Sequence, residues 1–215
     1  MKIRVFLIAL AVGLAGAASG SAQVRNGTIE LNGFAGYLVG GTFGDGAGFT
    51  AYPYRYHVDV GDDLNYGGRV GYNFNSLFEA EFEYARTDTN FVRHAVHFDV
   101  PNQDFGDFGI QYFMGYLTFN FGHGRGVPYF TMGGGVADLK ATFDGVPSFS
   151  KTYGTMAFGG GYKYFFNPHF GLRLDARLYS TALGNRTFVC APGVACTYTS
   201  WMSNFVANGG VLIAF

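Results

Sequence analysis

The chain has 215 residues, a formal net charge of −1 and a charged fraction of only 13%, against ~25% in ordinary soluble domains. Aromatic residues make up 19% of the sequence, and 34 residues are glycine. Nothing in this charge balance indicates the basic surface that nucleic-acid binding requires. Few charges combined with many aromatic residues indicate that much of the apolar surface faces something other than water.

The first 22 residues have the layout of a secretory signal peptide. Lys2 and Arg4 form a basic start, an apolar run covers 5–18, and small residues at 19–22 suit a signal peptidase. The apolar run is shorter than the ~20 residues of a spanning helix, although an uncleaved N-terminal anchor is the alternative. We predict cleavage after Ala22, which leaves 23–215 as one domain. Without Lys2 and Arg4, 12 of the 14 basic residues remain against 15 acidic ones, a net charge of about −3.

Beyond the signal peptide, apolar residues alternate with polar or small ones, which is the pattern of β-strands. The clearest strand places Phe82 and Tyr84 on one face and three glutamates on the other. In the strand that begins at Val127 both faces are apolar or small, so its facing stays open. Eight strands are predicted, near 29–37, 65–74, 78–84, 110–121, 127–135, 155–166, 170–178 and 201–215.

The connections between these strands alternate in length. Those after strands two, four and six are short, and the others are long, at 40–64, 86–108, 137–154 and 180–199. Short turns at one end and long loops at the other are typical of outer-membrane barrels. No later stretch offers ~18 unbroken apolar residues, and inside lipid every backbone polar group must be paired. We therefore predict an all-β fold, an eight-stranded antiparallel up-and-down transmembrane β-barrel.

A soluble, lipocalin-like barrel would show the same alternation with its apolar face turned inward. Three features favour the membrane instead. Strand aromatics cluster beside the turns, as at Tyr72, Phe74 and Phe119, which resembles the aromatic girdle of a membrane interface. The polar face is rich in small residues, which suits a narrow lumen. The chain also stops on an apolar strand that ends in Phe215.

Several segments resemble the OmpA-like transmembrane, or outer-membrane β-barrel domain, family: 68–74, 79–84, 128–135 and 172–177. The resemblance implies a Gram-negative outer membrane, long loops outside the cell, and both termini in the periplasm. It also implies contact with outer-membrane lipids and lipopolysaccharide. Phe215 resembles the assembly signal that the barrel-assembly machinery recognises. Many relatives carry a peptidoglycan-binding domain after the barrel; this chain ends at the last strand, so no wall-anchoring role is expected.

The most specific candidate site is a set of ionisable residues on the polar strand faces. An arginine at mid-depth in lipid costs ~2–4 kcal/mol, so these residues are expected inside the lumen, where the third and seventh strands must reach across it to pair. A charge-paired plug is the favoured interpretation, and an ion path or gate is the alternative. The set is Arg69, Glu79, Glu81, Glu83, Arg173, Asp175 and Arg177, with Glu30 and Lys163 as further candidates.

The histidines do not form a convincing site. His94 and His97 lie near Asp99, and His57 lies near three aspartates, Asp59, Asp62 and Asp63. Neither group has metal-ligand spacing on one element, so we interpret these residues as solvated loop residues and expect no metal or cofactor. Some small outer-membrane barrels are lipid A acyltransferases or deacylases, but no cluster in this sequence matches their His, Ser and carboxylate triad closely.

The sequence therefore predicts a non-enzymatic outer-membrane barrel with a charge-filled lumen. It would contribute to envelope integrity, or to adhesion or partner binding through its extracellular loops, whose ligand the sequence does not identify. Two alternatives stay open, a lipid A-modifying enzyme and a narrow small-solute pore.

Cys190 and Cys196 are the only two cysteines, and five residues separate them in the fourth long loop. Exported chains meet an oxidising compartment, so we predict a disulfide; a two-cysteine metal site is the weaker alternative. The closed loop is short, so the bond should stabilise the fold by about 2–3 kcal/mol at most. Titration of the exported, unreduced protein should find no free thiol, and two titratable thiols per chain would contradict the prediction.

Overall fold

The computed structural model describes residues 24–48, 55–95, 103–122, 124–143, 146–184, 187–191, 194–198 and 200–215. The predicted signal peptide, 1–22, lies outside these residues. Across the described ranges no helix is long and apolar enough to cross a membrane. The strands are β1 (Thr28–Val39), β2 (Thr42–Gly48), β3 (Arg55–Val60), β4 (Asp63–Asn73), β5 (Phe78–Ala95), β6 (Gln103–Asn120), β7 (Gly126–Phe143), β8 (Val146–Phe165), β9 (Phe170–Ala182), β10 (Thr187–Ala191), β11 (Val194–Tyr198) and β12 (Trp201–Ala214).

Eight of these strands close into an antiparallel barrel in the order β1, β4, β5, β6, β7, β8, β9 and β12. The ring closes where β12 pairs with β1, from Glu30 opposite Ala214 to Val39 opposite Phe205. Each of the eight strands has a partner on both sides, which removes the exposed edges that lipid does not tolerate. The predicted eight-stranded all-β barrel is confirmed.

Side chains alternate between an apolar exterior and a polar interior. On β1, Ile29 and Leu31 are exposed outward, whereas Glu30 and Asn32 are buried. The facing of β7, which the sequence left open, follows the same rule: Tyr129 is buried and Phe130 is exposed. The neighbouring strands set this facing, because the register with β6 and β8 leaves only one set of side chains directed inward.

Two of the predicted long loops are wrong. β5 and β6 continue through most of 86–108, and β7 and β8 continue through most of 137–154. In these extensions the pattern reverses, because most inward residues are apolar, such as Phe91, Phe108 and Leu139, while most outward residues are polar. A sequence search for strands with apolar exteriors therefore makes these four strands too short.

The other two predicted long loops contain hairpins. β2 and β3 lie within 40–64, and β10 and β11 lie within 180–199. β3 pairs with the C-terminal part of β5, where Val60 lies opposite Phe91. β11 pairs with β2, where Tyr198 lies opposite Gly44. The hairpins thus extend the barrel wall at what we call the loop end; the short turns lie at the turn end.

Apolar residues fill the lumen at both ends. At the loop end, the rings of Phe43, Phe91 and Phe108 pack with centroid separations of 4.5–5.3 Å. At the turn end, Val24 from the N-terminal segment packs inside the barrel with Phe165. These clusters are the loop-end layer (Leu38, Phe43, Phe91, Phe108, Ile110, Leu139, Leu183 and Met202) and the turn-end layer (Val24, Val127, Phe165, Leu212 and Ala214).

The backbones of both cysteines lie in the β10–β11 hairpin. Cys196 lies opposite Phe188, and Cys190 falls at an irregularity of the pairing between Val189 and Ala191. Their side chains lie outside the described part of the structure, so the disulfide stays a prediction.

The closing seam yields a test of the predicted assembly signal. The Phe215 amide donates to the Ile29 carbonyl at 2.9 Å, and the Ile29 amide donates back at 3.3 Å. Deletion of Phe215 removes these two bonds among many in the seam, so refolding in detergent should change little. If the residue is also an assembly signal, the amount in the outer membrane should fall severalfold. Quantitative immunoblotting of membrane fractions measures this, and equal levels would argue against the signal.

Candidate functional site

The candidate site is a charged column that fills the lumen between the two apolar layers. We use this name for nine buried residues that project inward from five strands. Within each strand these residues occupy alternate positions, since successive side chains of a strand point to opposite faces. The charged column is Glu30 on β1, Arg69 on β4, Glu79, Glu81 and Glu83 on β5, Lys163 on β8, and Arg173, Asp175 and Arg177 on β9.

Arg69 lies near the centre of the column. Its Nη1 and Nη2 donate to the two carboxylate oxygens of Asp175 at 2.6 and 3.0 Å. Its Nε donates to Glu83, and Nη1 also donates to the Asn32 side-chain oxygen at 3.1 Å. The fork of the guanidinium matches a carboxylate with two parallel bonds, which is the strongest form of this pairing.

The arginines of β9 meet the glutamates of β5 from the opposite side of the ring. Arg173 Nη1 donates to one Glu81 oxygen, and Arg177 Nη2 donates to the other at 2.6 Å. Arg177 also lies 3.0 Å from Glu83 Oε2 and 3.3 Å from Asp175 Oδ1. Each of these three carboxylates therefore contacts at least two arginines, so the charges are neutralised away from water.

Lys163 holds the part of the column nearest the turn end. Its Nζ donates to Glu30 Oε2 and to Glu79 Oε2, both at 2.6 Å. The Asn73 side-chain amide donates to the other Glu30 oxygen at 2.8 Å. Gly71 faces this group from β4, and a Cβ at that position would collide with the Glu79 carboxylate. The absence of a side chain at Gly71 thus makes room for Glu79.

Three tyrosines contact the charged column, and the sequence analysis did not predict them. Tyr116 and Tyr179 both donate their hydroxyls to Glu83 Oε1, at 3.1 and 2.6 Å. Tyr129 accepts from Arg173 Nε at 2.8 Å. Since Tyr116 and Tyr129 occupy inward positions of strands β6 and β7, strict alternation along each strand could have found them.

The structure thus brings the seven predicted charged residues, and also Glu30 and Lys163, into one cluster. In the described part of the chain no group of His, Cys, Asp and Glu is arranged to hold a metal ion. The side chains of His57, His94 and His97 lie outside that part.

A closed barrel with an apolar exterior and a buried charged lumen defines the class of outer-membrane β-barrel proteins. The sequence profile of the outer membrane protein β-barrel domain family matches residues 6–189. The chain belongs to this family, and its location is the outer membrane. No curated protein matches the sequence.

Solved structures of small outer-membrane barrels are similar in fold. OprG from Pseudomonas aeruginosa is 14% identical, with 90% of this chain and 98% of that chain covered and a TM-score of 0.61. AlkL, determined in lipid bilayers, is 18% identical, with coverages of 92% and 94% and a TM-score of 0.54. Neisserial surface protein A is 14% identical, with coverages of 88% and 100% and a TM-score of 0.52. At these identities the likeness concerns the fold alone.

The column predicts a large difference between two arginine substitutions. Arg173→Ala leaves Glu81 with less compensation in a buried site, so the free energy of unfolding in detergent should fall by about 3–5 kcal/mol if the site is dry. Arg86→Ala removes an exposed outward pair with Asp88, at 2.9 Å, and should have little effect, because solvent screens such pairs. Urea titrations followed by tryptophan fluorescence measure both. Equal stabilities would show that the luminal pairing is unimportant.

Proposed function

We propose that this protein is a non-enzymatic outer-membrane barrel whose lumen does not conduct. Its role is to support envelope integrity, or to bind surfaces or partners through its loop end. The observation that carries the proposal is the charged column, in which Arg177 and Glu83 have no exposed area.

Ion passage through this lumen would be costly. Eight strands enclose an interior just wide enough for side chains, and here the charged column occupies it. An ion would have to separate paired charges and then cross the apolar side chains of the loop-end layer and the turn-end layer, where it would lose hydration. The same pairing supports the non-enzymatic assignment, because the central carboxylates contact arginines rather than an open pocket.

The loop end is the part of the barrel best placed to meet partners. β5 has 18 residues, whereas a membrane requires ~9–11 per strand. At ~3.3 Å per residue the excess lengthens the strand by roughly 25 Å, and the tilted wall rises by somewhat less. The outward residues of this extension, including Asp88 and Lys140, are exposed and polar, as expected outside lipid. We place the loop end outside the cell and both termini in the periplasm, because long loops of this barrel class are extracellular.

Conductance in planar bilayers tests the sealed lumen. The purified, folded protein should give no reproducible single-channel steps, while Glu81→Ala, which breaks two pairs in the column, should give leak events if it folds. The heat-shifted mobility of barrels on gels reports folding for both. A large ohmic conductance of the parent protein would contradict the proposal.

The non-enzymatic assignment has its own test. Mass spectra of lipid A from cells with and without the protein should be identical. A mass difference that corresponds to gain or loss of an acyl chain would contradict the assignment and favour a lipid A-modifying enzyme.

A further inference from the structure

The charged column does not balance. It contains five carboxylates, Glu30, Glu79, Glu81, Glu83 and Asp175, against four cationic side chains, so full ionisation leaves one excess negative charge. On a protein surface, counterions and water would neutralise it. Between two apolar layers such a charge is costly, and buried groups then change their protonation instead.

The excess negative charge lies in the part of the charged column nearest the turn end. The three arginines face three carboxylates and balance them, which leaves Lys163 between Glu30 and Glu79. One ammonium group cannot neutralise two carboxylates. Among the described residues Arg25 forms no ion pair with either glutamate; its Nη2 donates instead to the Pro168 carbonyl at the turn between β8 and β9.

The hydrogen bonds distinguish the two glutamates. Both oxygens of Glu30 accept a bond, one from Asn73 and one from Lys163. Glu79 Oε1 is buried and has no partner, and neither has the buried side-chain oxygen of Asn120. Asn120 already contacts the other Glu79 oxygen, since its Nδ2 lies 3.4 Å from Oε2. The site of the excess charge thus has two buried acceptor oxygens and no donor for either of them.

We propose that Glu79 holds one proton in the folded protein, while Glu30 stays ionised against Lys163. The proton comes from water as the barrel folds, which makes the column neutral and adds a donor to Glu79, which also accepts from Lys163. A flip of the Asn120 amide exchanges its oxygen and nitrogen; it would put the oxygen 3.4 Å from Glu79 Oε2, where it could accept the proton, and 3.5 Å from Asn73 Oδ1. The other charged groups that face Glu79 are Glu81 on its own strand and Arg173 on β9. Beside Lys163 lies the titratable Tyr129 on β7, whose ring centroid is 5.7 Å from Lys163 Nζ.

Two matched substitutions on one face of β5 test the proposal. Glu79→Gln replaces a protonated carboxyl by a neutral group of the same shape, so the unfolding equilibrium constant in detergent should change by less than about threefold at neutral pH. Glu81→Gln leaves two arginines undercompensated and should raise that constant on the order of a hundredfold. Equal losses for the two variants would overturn the proposal.

The pH dependence gives an independent readout. If folding takes up a proton at Glu79, the unfolding constant of the parent should rise about tenfold more per pH unit than that of Glu79→Gln, at pH values above the ordinary glutamate range. The comparison cancels the histidines, which both proteins share. Parallel pH profiles would overturn the proposal. So would a stability of the parent that follows sodium concentration rather than pH, since a metal cation would then neutralise the column.

Infrared spectroscopy of the parent protein keeps the test decisive if Glu79→Gln does not fold. At neutral pH the folded barrel should show the carbonyl band of a protonated carboxyl, which shifts when glutamate is labelled with ¹³C. Absence of the band from the folded parent at neutral pH would overturn the proposal.

Discussion

Closure of the sheet between β1 and β12 is the constraint on which the rest of the structure depends. Lipid offers no hydrogen bonds to a backbone, so the eight strands must form a complete ring. A ring of this size leaves a narrow lumen, and in it β5 and β9 lie opposite each other within reach of their side chains. The contact of Glu81 with Arg173 and Arg177 across the lumen is therefore a consequence of closure.

The charged column also protects the register of the barrel. A slip of one residue would turn Glu79, Glu81 and Glu83 toward lipid and bring Phe82 into the lumen. An arginine costs ~2–4 kcal/mol at mid-membrane and a glutamate costs less, so the three glutamates disfavour such a slip through their combined cost. The column stabilises the assembled barrel only as a complete set, since a buried charge without its partner is costly. A proton on Glu79 would complete that set.

The polarity of the two faces of the barrel wall reverses along its length. Through the membrane the exterior is apolar and the lumen is charged, whereas in the loop-end extension the lumen is apolar and the exterior is polar. The extension is thus built like a soluble barrel on top of a membrane barrel. The β2–β3 and β10–β11 hairpins continue this wall at the loop end.

Local pattern determined much of this protein from the sequence alone. Period-two alternation predicts the strand cores and their facing, since each side chain partitions between lipid and lumen by its own polarity, and this places Arg69, Glu79 and Lys163 inside. The predicted loops 86–108 and 137–154 were wrong because the polarity of the two faces reverses where the wall leaves the membrane. Only the tertiary structure decided which charges pair, that Tyr116 and Tyr179 hold Glu83, and that β11 joins β2. These contacts depend on ring order and register, which are set by pairing between distant strands and leave no local pattern.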